Sequence, residues 1–515
     1  MTSISNMLDS KKYKGWKESS MERHDLYNFE SKIDYRYTLE KTDSKKTQYL
    51  LDTYFFVPKS LQINKDTYSK KQFFSDLNNR IRFKTPQMTV GGLLDGKNIR
   101  SPLNVITKTI SQIEYGKSNI KNIKKIQREL RLLGSIMKAA LRDQFSYFLE
   151  NFKSLRRPHD LSELLREYLE DIQRFRQRME RISERFIMIQ IPEELRETFR
   201  YSDEYISMQI EKWLTKILKN LGEYLVENTK DLIVHIIEEE QNYRECLESR
   251  LLLKEGEDNE DFSYIEGIMK KYVQGVLYLE KKRKDPQSTS LEIFYSVAAG
   301  FAMFISLFLG FLFLSQFPVY GLEAIIGTVV IYMLKDRIKD NIRNISQRAI
   351  GLYFPDQRID IVDGFYEEVI GESKEKMYFL EQEDIPTEVF DIRKASNKSP
   401  IEEEGKPEEC ILFKKKITLY NKKIDEIHTR QKDISDIIRF NIQSFIRYAD
   451  DPVQDTLHWD AVTRQIKHIP VSKVYHINVI FKLTTFKGKE VSHEYYKKCR
   501  IIINQKGIQR LMVFG

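Results

Sequence analysis

Polar residues almost vanish from one interval of the chain. Between residues 293 and 334 the single charged side chain is Glu323, and Ile293 to Leu314 is a 22-residue run without charge. At about 1.5 Å per residue such a helix spans roughly 33 Å, enough for the hydrocarbon core of a bilayer. After the break Ser315-Gln316-Phe317-Pro318, a second apolar stretch runs from Val319 to Leu334. Together they predict a two-helix transmembrane hairpin over residues 291–335. Ala298, Ala302, Ser306 and Gly310 recur every four residues, so small side chains line one face of the first helix and let a neighbouring backbone approach closely. Glu323 follows Val319 by four residues and is expected near the outer surface, where a carboxylate reaches the headgroups.

The flanks set an orientation. Lys281, Lys282, Arg283 and Lys284 precede the first span, Lys335, Arg337 and Lys339 follow the second, and the connecting loop from Ser315 to Gly321 has no basic residue. Basic residues next to a span stay on the cytoplasmic side, so the expectation is a multi-pass membrane protein with both termini cytoplasmic, in the cytoplasmic membrane if the source is bacterial. The first 30 residues contain no apolar run of seven, so no signal peptide is expected.

Elsewhere the apolar period is mostly helical. Strand-like alternation over Ile33–Leu39 and the aromatic run Gln48–Val57 predict a β-hairpin, followed by a helix near 67–84. Apolar positions 123, 126, 130, 133 and 137, then 141, 145, 148 and 152, predict a long helix with a stutter. Leu161, Leu165, Tyr168, Ile172, Phe175, Met179, Ile182, Phe186 and Ile189 alternate steps of four and three, which predicts a coiled-coil seam folding back on that helix. Further helices are expected over Ile206–Tyr224, Asp231–Leu253 and Phe262–Arg283. Beyond the second span, Leu334, Ile338, Ile342 and Ile345 predict a juxtamembrane helix up to Pro355. Short strands are expected at 358–363, 365–370, 376–380 and 411–419, a mobile acidic loop across the rest of 361–410, and a helix at Ile434–Ala449 capped by Asp433. A terminal meander is expected over Val474–Thr485, Glu490–Asn504 and Ile508–Phe514.

These elements predict a mainly α membrane protein. Residues 1–118 would hold the β-hairpin and short helices, 119–285 a helical and partly coiled-coil bundle, 291–335 the transmembrane hairpin, 336–355 the juxtamembrane helix, and 356–515 a small cytosolic α+β domain.

Composition adds limits. The chain has 515 residues, 84 basic against 76 acidic side chains, a net charge of +8 and a mean hydropathy of −0.49. Charged residues at 31% and aromatics at 12% exclude an unfolded chain. Cys246, Cys410 and Cys499 are far apart, which excludes a disulfide scaffold and fits a reducing compartment. The net charge of +7 over residues 471–515 is compatible with nucleic acid, but a solvated lysine-rich edge explains it more simply.

The chain has no phosphate loop, dinucleotide turn, nucleophile elbow, paired CxxC or EF-hand loop. His493-Glu494-Tyr495-Tyr496-Lys497 falls one residue short of a zinc HExxH and alternates like a strand. Asp360, Asp363, Glu372 and Lys374 have the carboxylate-carboxylate-lysine order of a metal-dependent nuclease, in which acids hold Mg²⁺ and the lysine meets developing charge. Asp450, Asp451, Asp455, His458 and Asp460 surround Trp459 in a segment rich in oxygen ligands. Ordinary surface chemistry accounts for both groups. The function expected is therefore a non-enzymatic, membrane-anchored scaffold, sensor or effector without a cofactor. Its expected partners are the lipid bilayer, further copies of itself and a cytosolic protein. The alternative is a membrane-tethered metal-dependent nuclease or other hydrolase in the last 160 residues.

Overall fold

The computed structural model describes residues 14–15, 19–35, 45–115, 120–151, 158–189, 191–284, 286–315, 321–395, 408–428, 430, 433–488 and 490–514. Its strands are β1 (Lys14–Gly15), β2 (Ser19–Arg23), β3 (Asn28–Tyr35), β4 (Lys46–Pro58), β5 (Leu77–Phe83), β6 (Tyr278–Lys284), β7 (Gln357–Asp363), β8 (Glu368–Leu380), β9 (Glu408–Tyr420), β10 (Ile434–Asn441), β11 (Val453–Asp460), β12 (Gln465–Ser472), β13 (Tyr475–Lys487), β14 (Glu490–Asn504) and β15 (Gly507–Phe514). All but β11 and β12 join one 13-stranded sheet in the order β1-β14-β13-β4-β9-β8-β7-β6-β5-β10-β3-β2, with β15 beside β14. Every neighbour is antiparallel except β1 on β14.

The sheet curls into a nearly closed barrel. Its far edges are drawn together by the Ile508 amide donating to the Leu26 carbonyl at 2.7 Å, and by Lys497 Nζ donating to the Ser19 carbonyl. Side chains alternate across a strand, so one parity faces the lumen. That parity carries Phe29, Ile33 and Tyr35 of β3, Leu77, Ile81 and Phe83 of β5, Phe413, Ile417 and Leu419 of β9, and Ile434, Ile438 and Phe440 of β10, all buried.

The helices are α1 (Lys70–Asp76), α2 (Val90–Leu94), α3 (Pro102–Glu114), α4 (Ile120–Asn151), α5 (Pro158–Met188), α6 (Glu193–Leu221), α7 (Glu227–Cys246), α8 (Glu260–Gly275), α9 (Pro286–Leu314), α10 (Leu322–Tyr353), α11 (Thr387–Lys394) and α12 (Asn421–Ile427). Two insertions account for most of them. Helices α2 to α8 lie between β5 and β6, which pair at Ile81↔Leu279 and Arg82↔Tyr278. The α9/α10 pair lies between β6 and β7, whose ladder ends at Lys284↔Arg358. The helical bundle and the α9/α10 pair therefore leave from opposite ends of β6, a strand of seven residues.

This architecture corrects the expectation of a mainly α membrane protein with a small separate α+β domain. Strands from both halves of the chain build one sheet: β4 lies between β9 and β13, and β10 lies between β3 and β5. Strands β3 and β4 exist as predicted but do not pair with each other. The helix predicted over 67–84 stops at Asp76. Leu77 and Ile81 satisfy a four-residue helical step and a two-residue strand step equally, and Asn79 and Phe83 complete the strand. The same ambiguity hid β10, predicted as a helix over Ile434–Ala449. The helix predicted over 262–283 ends at Gly275, and β6 follows. Strand β8 continues through the stretch expected as a mobile acidic loop, while residues 396–407 lie outside the described residues. The terminal meander forms as β13, β14 and β15.

The coiled coil is not supported either. Helix α4 packs on α3, α6 and α8, and α5 packs on α2, α6 and α7, so α4 and α5 do not form a free-standing hairpin. The predicted seam from Leu161 to Phe186 is buried, but in a bundle core. Arg176 locks that core by meeting Glu240 at 2.9 Å and Asp203 at 2.5 Å.

The multi-pass assignment is also overturned. Among the described residues one helix is long and apolar enough to cross a membrane, α9 over Tyr295–Phe313. Helix α10 is apolar only to Leu334, after which Lys335, Asp336, Arg337, Lys339 and Asp340 follow. Those 13 residues from Leu322 cover about 20 Å, short of a hydrocarbon core. The cytoplasmic placement of both termini rested on two crossings and falls with them.

Candidate functional site at an opening in the barrel wall

A belt of charge crosses the largely apolar lumen of the barrel. Lys415 on β9 and Asp436 on β10 are both fully buried, with Nζ 2.6 Å from Oδ2. Glu375 on β8 sits 3.7 Å from the same ammonium, and its Oε1 also accepts from Asn79 Nδ2 at 3.0 Å and Ser373 Oγ at 3.1 Å. Tyr35 donates to Asp436 at 3.3 Å, and its ring lies 4.8 Å from that of Tyr49. Burial, and then the adjacent Asp436 carboxylate, push the Tyr35 phenol well above its usual range, so it stays a donor.

Next to this belt the wall opens. Strand β6 stays paired with β7 from Leu279 to Lys284, but with β5 it shares only two register positions. Continued register would set Asn79 opposite Lys281 and Leu77 opposite Arg283. Instead the strands separate, and Lys281 Nζ donates to the Asn79 carbonyl, replacing a ladder bond. Burial, reinforced by the Lys415 charge, pulls the Lys281 ammonium down to about 8, despite the opposing Asp436 and Glu375 carboxylates. The gap holds a cavity of about 420 Å³ lined with Asn78, Asn79, Lys281, Arg283, Gln357 and Glu375, and roofed by Phe74 and Ser75 of α1. It sits at the end of β6 from which α9 leaves.

The opposite end of the barrel meets the helical bundle. His428 Nε2 lies 2.9 Å from Asp363 Oδ2, and its Nδ1 lies 2.6 Å from Arg128 on α4. Arg430 clasps Glu129 of α4 through two bonds of 2.9 and 2.6 Å. Burial raises the Asp363 carboxyl, but the His428 bond and the Tyr366 amide outweigh it and leave the group below its ordinary value.

The nuclease-like residues are divided by strand parity. Asp360 and Glu372 face each other in the β7–β8 register, and Lys374 lies two residues along. Asp363 has the other parity and points to His428. The two paired carboxylates already face cations: Lys284 at 2.5 Å from Asp360, Arg358 at 2.9 Å and Lys374 at 3.4 Å from Glu372. Asp455 and His458 stand three apart on exposed β11, hence on opposite faces of the β11–β12 ribbon. Asp450 meets Lys473 at 2.5 Å and Tyr475 at 2.7 Å, and Asp460 accepts from the Val462 amide at 2.9 Å and from Lys467. Among the described residues no group of three His, Cys, Asp or Glu side chains is placed to hold a metal ion.

Of the membrane residues, Ala298 and Ala302 are buried, while Ser306 and Gly310 are half-exposed. Glu323 lies on α10, and its side chain is outside the described residues. Lys282, Arg283 and Lys284 of the basic collar are exposed at the end of β6, whereas Lys281 turns into the wall.

Lys415, Asp436, Glu375 and Asn79 were not singled out from the sequence. Their signal was a charged or amide residue at an inward position of a strand, as Lys415 stands between Phe413 and Ile417. Asp436 gave no such signal while Ile434–Ala449 read as a helix. Compared with known proteins, the chain matches no family model, no curated protein and no solved structure.

Proposed function

We propose that this protein is a membrane-anchored, non-enzymatic scaffold or sensor, held to lipid by the α9/α10 pair and contacting a protein partner through its helical bundle. The observation that carries the reading is the outer surface of that pair. Phe301, Phe304, Leu307, Phe308, Phe311 and Ile325 are each more than half exposed, although an apolar patch of this extent is costly in water. Both ends of the pair attach at Lys284↔Arg358, so its two helices meet a lipid surface from the same side. Lys335 lies 3.8 Å from the Tyr332 ring and Arg343 4.9 Å from the Tyr295 ring, pairing cations with aromatics as at a headgroup boundary. The exposed cation Lys282 at the base suits anionic lipid.

The nuclease alternative gains no comparable support, because Asp360 and Glu372 are neutralised by lysine and arginine rather than converging on an open position.

Flotation of the full chain with vesicles of phosphatidylcholine and phosphatidylglycerol tests the anchor. The wild type is expected to rise with the lipid. Phe304→Asp combined with Phe308→Asp, two rings stacked at 6.4 Å, is expected to stay at the bottom with unchanged circular dichroism. Equal flotation of the double variant would remove the reading.

A further inference from the structure

We propose that the opening between β5 and β6 is a binding site for a phosphate group, with Arg283 and Lys281 as its cations and the Asn78 and Gln357 amides as its neutral donors. Four observations converge on it. The site is a real gap in a sheet: β5 keeps its full ladder with β10, β6 keeps its ladder with β7, and only the shared edge is split. The gap encloses about 420 Å³, room for a phosphorylated small molecule or a lipid headgroup.

The donors are also available. The side chains of Arg283, Asn78 and Gln357 line the cavity without a hydrogen-bond or ion-pair partner among the described residues. Lys281 uses one of its three protons on the Asn79 carbonyl. Finally, the charge balance favours an anion. Two cations line the cavity against one carboxylate, Glu375, whose Oε1 already accepts from Asn79 and Ser373 and lies 3.7 Å from the Lys415 ammonium. A guanidinium beside amide donors matches the oxygens of a phosphate group through charge-assisted bonds.

Two sources supply this chemistry, a soluble phosphate ester and the headgroup of an anionic lipid. The cavity lies at the end of β6 from which α9 departs, so both have access.

The test uses the full chain in detergent micelles and reads thermal stabilisation and calorimetric binding, so it does not depend on vesicle flotation. The probes are inorganic phosphate and, separately, phosphatidic acid dispersed in the same micelles. Binding of both assigns the site to free phosphate groups, and binding of phosphatidic acid alone assigns it to a lipid headgroup. Either result supports the proposal provided that Arg283→Ala and Asn78→Asp each weaken binding by about ten-fold or more. Both positions are exposed at the cavity rim, so the variants are expected to keep the ligand-free melting temperature of the wild type. No stabilisation by either probe, or wild-type affinity in both variants, would overturn the proposal.

Discussion

Lys415 and Asp436 form an ion pair of 2.6 Å across the barrel lumen, although their strands stand five places apart in the sheet. Neither residue is exposed at all, so the pair lies where an unpartnered charge is least tolerable. It ties the wall built from β8 and β9 to the wall built from β5, β10 and β3, and every strand that contributes to it also borders or faces the opening beside Lys281.

Removing one partner is therefore expected to cost more than removing both. Asp436→Asn or Lys415→Met should lower stability by about 3–5 kcal/mol, because each leaves a buried group uncompensated. The double variant Lys415→Met, Asp436→Leu should recover only part of that loss, because Glu375 still loses the ammonium 3.7 Å away. Urea unfolding of the four proteins in a double-mutant cycle checks this, and additive losses would show that the pair is not coupled.

The lowered Lys281 value gives a pH dependence at the basic end. Folding depresses its pKa from the usual lysine value near 10.4 to about 8, so between those values the unfolded chain binds more protons. Stability contributed by this group is thus expected to rise as pH climbs from about 8 to about 10. Lys281→Met should flatten that rise, read as the difference in denaturation midpoint between pH 8 and pH 10.

Asp363 gives the opposite dependence at the acid end. Its folded value lies below the unfolded one, near 3.9, so its contribution is present above that pH and is lost as pH falls through the lower folded value. The Asp363→Asn variant should be less stable than wild type at pH 7, and the gap should narrow in acid. Melting temperatures between pH 3 and pH 7 test it; a constant gap would mean that the His428 contact carries no charge-dependent stability.

Gly507 holds the barrel seam. Its φ of +116° lies where other residues are strained, and an added Cβ would sit 2.4 Å from the Leu26 carbonyl oxygen that accepts the Ile508 amide. Gly507→Ala is expected to cost about 1–3 kcal/mol and to speed hydrogen exchange at Ile508 more than at Ile501, deeper in β14.

The small residues of α9 set how closely the apolar pair packs. Ala302 is 1% exposed, so Ala302→Leu should force α9 and α10 apart at a cost of about 1–3 kcal/mol, while Ser306→Leu, at a half-exposed position, should cost less. Disulfide trapping between cysteines placed on the two helices measures the separation. Equal trapping in both variants would show that the alanine contact does not set it.

Much of the local structure was legible in the residues. The uncharged run that became α9, the buried spacing from Leu161 to Phe186 and the terminal meander all follow from short-range patterns that depend on period and turn chemistry alone. What failed were the segments whose apolar spacing fits two periods. Leu77–Ile81 and Ile434–Ile438 serve as helix or strand, and only a partner strand decides. For β5 and β10 that partner lies more than 350 residues away in sequence, so no local pattern could supply it.

The same distinction separates the apolar pair from the cavity beside β6. That residues 293–334 form an apolar stretch with basic flanks is written in the chain alone, because charge and hydropathy belong to residues wherever they are folded. Folding adds that this stretch leaves from one end of a seven-residue strand while the helical bundle leaves from the other, and that the collar lysine Lys281 lies in the barrel wall rather than in solvent. Burial, register and the split between β5 and β6 are properties of a closed sheet, and a sheet closes through contacts between residues that the chain keeps far apart.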